Sequence, residues 1–209
     1  MKIVCSKSTL LNAVNIVSKA VSTKTTMPIL ECFLLDALTN EIKLIANDME
    51  LGIETIVSGE IEQKGMIALN AKIFSEIVRK LPDNNIIIET DENFVTNITC
   101  EKAKFNISGK QGDDFPKLPY IEKSQYICLS QFTLKELIQK TIFSISDNDT
   151  NKLLTGELFE INETALKIAS LDGHRISIRN ATLKEAYETI KVVVPGKTLS
   201  EVSKILTGN

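Results

Sequence analysis

The sequence predicts an α+β protein built from two copies of one domain, each with two helices against antiparallel sheets, the second copy lacking its last strands. Three observations carry this expectation. Residues 29–53 align with 153–177 without a gap, an offset of 124 residues. Apolar stripes at helical spacing occur twice in each copy. Short strand-like segments bounded by Asn, Asp and Gly run between those stripes.

Each copy opens on a strand, at residues 1–5 and 126–129, followed by Ser and Thr residues suited to cap a helix. Leu10, Ala13, Val14 and Val17 make the first apolar stripe, and Leu134, Leu137, Ile138 and Ile142 its counterpart. Strand-like segments follow at 35–38, 41–46 and 52–58 in copy one and at 157–161, 165–170 and 175–180 in copy two. The turns between them carry Thr39-Asn40 and Asn162-Glu163. A second helix is expected over 71–81, with Ile73, Phe74, Ile77, Val78 and Leu81 on one face, and over 197–206, with Leu199, Val202, Ile205 and Leu206. Here Lys72 and Ser75-Glu76 meet Lys197 and Ser200-Glu201 at an offset of 125. Copy one continues through strand-like segments at 86–89, 94–100 and 104–108 to Asp114-Phe115-Pro116-Lys117-Leu118. Copy two has no such continuation, because Asn209 aligns with Asn84. The expected domains are 1–122 and 123–209, the second incomplete at its C-terminal end.

With 43% hydrophobic and 24% charged residues, the 209-residue chain has the composition of a folded protein. Its longest apolar stretches, such as residues 29–35, fall far short of the ~20 needed to cross a bilayer. No secretory pattern opens the chain, so a cytoplasmic protein is expected. Cys5, Cys32, Cys100 and Cys128 are scattered and there is a single histidine, so neither a zinc site nor a redox motif is spelled out. Reduced cysteines in strands are expected, with no cofactor. The net charge is only −3, yet the basic residues gather in the helical segments. Residues 7–24 hold Lys7, Lys19 and Lys24 without an acid, and 70–81 hold Lys72, Arg79 and Lys80 against Glu76. Helices sharing one positive side would suit sequence-independent contact with duplex phosphates. There is no Trp, and Phe74 falls on an apolar helix face, so no stacking platform for single strands is present.

Phosphate-loop, dinucleotide, nucleophile-elbow and zinc-protease motifs are all missing. Leu171-Asp172-Gly173-His174-Arg175 places the one histidine two residues from an aspartate, the spacing of a general base beside an orienting carboxylate. The repeat counterpart, Asn47-Asp48-Met49-Glu50-Leu51, keeps the aspartate but neither the histidine nor the arginine. Asp48 and Asp172 are therefore expected to build one Asx-type turn, leaving His174 and Arg175 as binding candidates on a loop. Two other readings stay open at this point. One is a cytosolic enzyme or small-molecule binder on the duplicated domain, using Asp172, His174 and Arg175. The other is an assembly protein joined through Phe105 and Ile107.

Met27-Pro28-Ile29-Leu30, Asn47-Asp48-Met49-Glu50, Asp114-Phe115-Pro116, Asp172-Gly173-His174-Arg175 and Val193-Val194-Pro195-Gly196-Lys197 resemble, in order and spacing, the bacterial DNA polymerase III β sliding clamp family. The resemblance implies a DNA clamp fold of three similar domains, helices on the inner face and sheets outside, two subunits closing a homodimeric ring. Domain three would be missing here. It implies a non-catalytic processivity factor that encircles duplex DNA and tethers the polymerase III alpha subunit, the clamp loader and other proteins with clamp-binding motifs. The matching DNA-contact positions are Lys24, Lys72, Asn148, Lys152 and Lys197. The domain-two half of the family's peptide pocket matches Leu154, Leu171, Gly173, His174 and Arg175, with Leu171 where the family commonly has threonine. The ring contact matches the edge strand around Lys102, Lys104, Phe105 and Ile107, basic residues flanking an apolar pair.

Overall fold

The computed structural model describes residues 1–22, 25–122, 126–147 and 151–207, in two compact units, Met1–Tyr120 and Ile121–Asn209. In the first unit β1 (Lys2–Ser6) leads straight into α1 (Lys7–Val17). The Ser6 hydroxyl accepts the N–H of Thr9 at 3.2 Å, satisfying one of the amides that a helix start leaves without a partner. Leu10, Ala13, Val14 and Val17 are buried, as their spacing predicts.

The chain continues through β2 (Cys32–Asp36), β3 (Ile42–Asn47), β4 (Gly52–Val57), β5 (Gly59–Gln63) and β6 (Met66–Asn70) to α2 (Ala71–Lys80). Then come β7 (Asn85–Thr90), β8 (Val95–Cys100), β9 (Ala103–Ser108) and the short β10 (Lys110–Gln111). These strands form two antiparallel five-stranded sheets in the orders β5-β1-β7-β8-β9 and β10-β6-β2-β3-β4. Both sheets and both helices contribute to one core that includes Ile3, Leu10, Phe33, Leu44, Phe74 and Ile88. Phe33 and Phe74 meet edge-on within it, their ring centroids 6.3 Å apart. The β2 strand is buried on both faces, because Cys32 and Leu34 join Ile45, Ala68 and Phe115 in a second cluster. Phe115 thus gives the Asp-Phe-Pro segment its structural role.

The second unit contains α3 (Gln131–Gln139), β11 (Gly156–Leu171), β12 (Ile176–Pro195) and α4 (Gly196–Ile205). Ser130 accepts the N–H of Thr133 at 3.0 Å, repeating the Ser6 cap 124 residues later. The strand register repeats as well. Cys32 pairs with Asn70 and Gly156 with Pro195; Ile42 pairs with Val57 and Leu166 with Ala181. The offsets that align the two halves of the sequence therefore also align their ladder partners. Leu137, Ile161, Leu166, Ile168 and Leu183 form the core of this unit.

Several expectations are corrected. Residues 126–129 form no strand, whereas β1 is held between β5 and β7. Ile127 and Leu129 still pack on the core, and Cys128 donates its main-chain N–H to the Tyr187 hydroxyl at 3.0 Å. Cys128 is accordingly exposed and outside any strand, while Cys5, Cys32 and Cys100 are buried in strands; all four are free thiols. The expected strands 157–161 and 165–170 are one element, β11, which runs through Asn162-Glu163 with register shifts on either side of Glu163 and a left-handed φ of 52° there. The strand expected at 175–180 begins at Ile176 and extends to Pro195. Leu134 and Ile142 are only half-buried, and Ile142 lies in a 3-10 turn (Ile142–Ser144) beyond α3. Ile73 is half exposed, because side chains lean toward the helix N-terminus and Ile73, in the first turn of α2, leans past the edge of the core. Among the described residues no helix is long and apolar enough to cross a membrane.

Candidate functional site

The loop between β11 and β12 holds four of the residues singled out in the sequence. Leu171 and Ile176 close the ladder below it, and Leu171, Gly173, His174 and Arg175 are all exposed. Asp172 organises the turn. Its Oδ1 accepts the main-chain N–H groups of His174 and Arg175 at 2.9 and 3.1 Å, and its Oδ2 accepts Arg175 Nε at 2.8 Å. The bond from the His174 amide, with those from Arg175, holds the Asp172 carboxyl below its ordinary pKa despite some desolvation. Gly173 takes a φ of +89°, so a side chain there would be strained even though the space around it is open. Asp172 is committed to the backbone and to a guanidinium, which leaves it poorly placed to orient an imidazole for base catalysis.

Leu154, half-buried, precedes β11 and is tied to the segment after α3, where Ser146 N–H donates to its carbonyl at 2.8 Å. The same segment anchors the base of the loop. Ser170 Oγ donates to the Thr141 carbonyl at 2.6 Å, and Ser144 Oγ lies 2.6 Å from Ser177 Oγ. Residues 141–146 therefore hold Leu154 and the 171–175 loop from one side. Next to these bonds is Glu157, fully buried, with Oε1 at 2.7 Å from Thr141 Oγ1 and Oε2 without a partner. Burial pushes its carboxyl up to about 7, against a smaller opposing effect of Thr141. None of Thr141, Ser144, Glu157, Ser170 and Ser177 was singled out by motif. The available signal was the repeat alignment, which sets them opposite the apolar Val17, Ala20, Phe33, Ala46 and Ile53.

The basic candidates fall in both units. Lys72 and Lys197 are exposed and occupy the second position of α2 and of α4. Lys152 is exposed in the turn before β11, where Thr155 Oγ1 donates to its carbonyl at 2.9 Å. Lys24 and Asn148 lie outside the described residues. Lys102, Lys104, Phe105 and Ile107 lie on β9 or the tight turn leading into it, where Glu101 has a φ of 51°. β9 is the terminal strand of its sheet, pairing with β8 through Ile98↔Phe105 and Thr96↔Ile107. Among the described residues no group of His, Cys, Asp and Glu side chains is arranged to hold a metal ion.

The family description "DNA polymerase III beta subunit, N-terminal domain" matches residues 1–119, and "DNA polymerase III beta subunit, central domain" matches residues 128–209. The chain belongs to the DNA polymerase III beta subunit family. It is 37% identical to the beta sliding clamps of Halalkalibacterium halodurans and Bacillus subtilis, matching over its whole length but covering 58% of theirs. Among solved structures, one described as a DNA polymerase III beta subunit from Eubacterium rectale superposes with a TM-score of 0.98 at 68% identity. The Bacillus subtilis sliding clamp superposes at 0.95 and 37%. Each match spans the full chain and 57% of the solved one, so the chain corresponds to just over half of these beta subunits. A Pseudomonas aeruginosa clamp, 26% identical with a TM-score of 0.90, was solved with griselimycin bound.

Proposed function

We propose that the protein carrying this chain is a DNA sliding clamp, a cytoplasmic, non-catalytic processivity factor that encircles duplex DNA and tethers the replicative polymerase. The observation that carries this reading is the succession of both clamp domains along the chain, with an exposed lysine at the same helix position in each. Lys72 and Lys197, with Lys24, Asn148 and Lys152, contact phosphates without reading sequence. The contacts are individually weak, so the ring slides while its closed topology prevents escape. Domains 1–122 and 123–209 are the first two of three.

The exposed loop of Leu171, Gly173, His174 and Arg175, with Leu154, forms one wall of a groove for extended peptides of the polymerase III alpha subunit, the clamp loader and other partners. Leu171 makes that wall more apolar. The edge strand β9, with Lys102, Lys104, Phe105 and Ile107, pairs with an acidic edge of a second subunit to close a homodimeric ring.

The test is retention on nicked circular duplex DNA of the gene product, loaded by its clamp loader. Protein that stays on circles and is released when they are linearised supports the reading. Protein indifferent to DNA topology overturns it.

A further inference from the structure

Five positions that are apolar in the first repeat are polar in the second, and the fold brings all five together under one loop. Val17, Ala20, Phe33, Ala46 and Ile53 lie within or against the core of the first unit. Their counterparts, 124 residues on, are Thr141, Ser144, Glu157, Ser170 and Ser177. Ala46 and Ile53 face each other across the β3–β4 ladder, as Ser170 and Ser177 do across β11–β12. The swap therefore falls at the foot of the loop that holds His174 and Arg175. Polar groups in a core add little stability over well-packed apolar ones but impose geometry, since each must find its partner.

The hydrogens of this cluster can be counted. Thr141 Oγ1 has one proton and three acceptors within reach: Leu137 O at 2.8 Å, Ile138 O at 3.3 Å and Glu157 Oε1 at 2.7 Å. A neutral Glu157 resolves the competition. Its carboxyl O–H donates to Thr141 Oγ1, whose own proton goes to the Leu137 carbonyl. The unpartnered Oε2 is then a neutral carbonyl oxygen, far cheaper to bury than half of a carboxylate.

We propose that Glu157 is a positioning residue whose protonated carboxyl fixes the 141–146 segment through Thr141 and thereby the 171–175 loop through Ser170 and Ser177. The role as a peptide-groove wall rests on the function proposed above; the clip itself does not. Ionisation of Glu157 takes away the donated proton and places a charge in the core, so the loop loosens as pH rises. The charged side chains on neighbouring elements do not offset this. Lys140, Lys191 and Lys204 are exposed and paired with Glu136, Glu160 and Glu201, Arg179 donates to the Ile178 carbonyl, and Lys197 is exposed. Burial raises the Glu157 carboxyl and Thr141 opposes it, with no charged side chain among the causes.

The test is amide hydrogen exchange of the chain between pH 6 and 8.5, expressed as protection factors so that intrinsic chemistry cancels. Amides of residues 170–177 should lose about tenfold in protection over that range, nearly all of it below about pH 7.5, as expected for titration near pH 7. In E157Q, whose amide donates to Thr141 at every pH, protection should stay constant. Residues 46–53, above the apolar version of the cluster, are the internal control and should not respond. Equal pH profiles in the native chain and E157Q would overturn the proposal. So would a carbon-13 titration of the native Glu157 carboxyl with its midpoint near 4.5, which requires no variant. Peptide binding enters neither measurement, so failure of the groove assignment would leave them standing.

Discussion

Asp48 and Asp172 build the same turn in the two repeats. Oδ1 of each accepts the N–H groups two and three residues ahead, at 3.0 and 2.8 Å for Asp48 and 2.9 and 3.1 Å for Asp172. The residue that follows takes a left-handed φ in both, 74° at Met49 and 89° at Gly173. Only Asp172 also holds an arginine. Asp172→Ala should therefore release the His174 and Arg175 amides and free the guanidinium, while Asp172→Asn keeps the backbone turn and loses the ion pair. The carboxyl lies below its ordinary 3.8, so its contribution is complete above that value and lost as pH falls through the lower folded one. Amide and Nε chemical shifts of Arg175 at pH 6 and in acid would check both outcomes; an unmoved Arg175 Nε in Asp172→Asn would contradict the pairing.

Glu157 predicts the opposite dependence. Its folded value of about 7 exceeds the ordinary 4.5, so the native state holds a proton that the unfolded chain has released. Stability of the second unit is then full below about pH 4.5 and declines as pH rises through 7, by on the order of 3 kcal/mol in total. Thermal melts of that unit at pH 5 and 8 measure this. Glu157→Leu should flatten the profile and raise the midpoint at pH 8.

In the first unit the equivalent position behaves as ordinary core. Phe33→Ala removes a fully buried ring packed edge-on against Phe74 and should cost about 3–5 kcal/mol, with no added pH dependence. Denaturant melts of the first unit report the loss.

Gly196 is required by close approach rather than by backbone angle. A Cβ there would come within 2.3 Å of Ile145 Cδ1 and 2.9 Å of the Thr155 carbonyl, which accepts the Gly196 N–H at 3.0 Å. Gly196→Val should destabilise the second unit by about 1–3 kcal/mol; an unchanged melt would show that the start of α4 relaxes freely.

Reversal of Lys72 and Lys197 to Glu should shorten retention on circular DNA. The logarithmic salt dependence should become shallower by roughly one unit for each phosphate that is no longer neutralised. Unaltered retention would remove these lysines from the DNA surface.

The repeat offset in the sequence anticipated much of this. It sets Cys32↔Asn70 over Gly156↔Pro195, the Ser6 cap over Ser130, and one Asx turn over the other. Each of these depends on residues close in sequence or on a shared ladder register, which local chemistry encodes. Periodicity missed β5, whose Gly-Glu-Ile-Glu-Gln run is almost wholly exposed, and supplied a strand at 126–129, which pairs with no strand among the described residues. A strand exists only where partners on other segments satisfy its backbone. The same reason governs the site. Sequence alone placed Asp172, Gly173, His174 and Arg175 together on a loop, because they are contiguous. Only the tertiary structure decided that Thr141, Glu157 and Ser170 share a buried hydrogen-bonded cluster, because burial and the pairing of polar groups depend on which distant segments pack together.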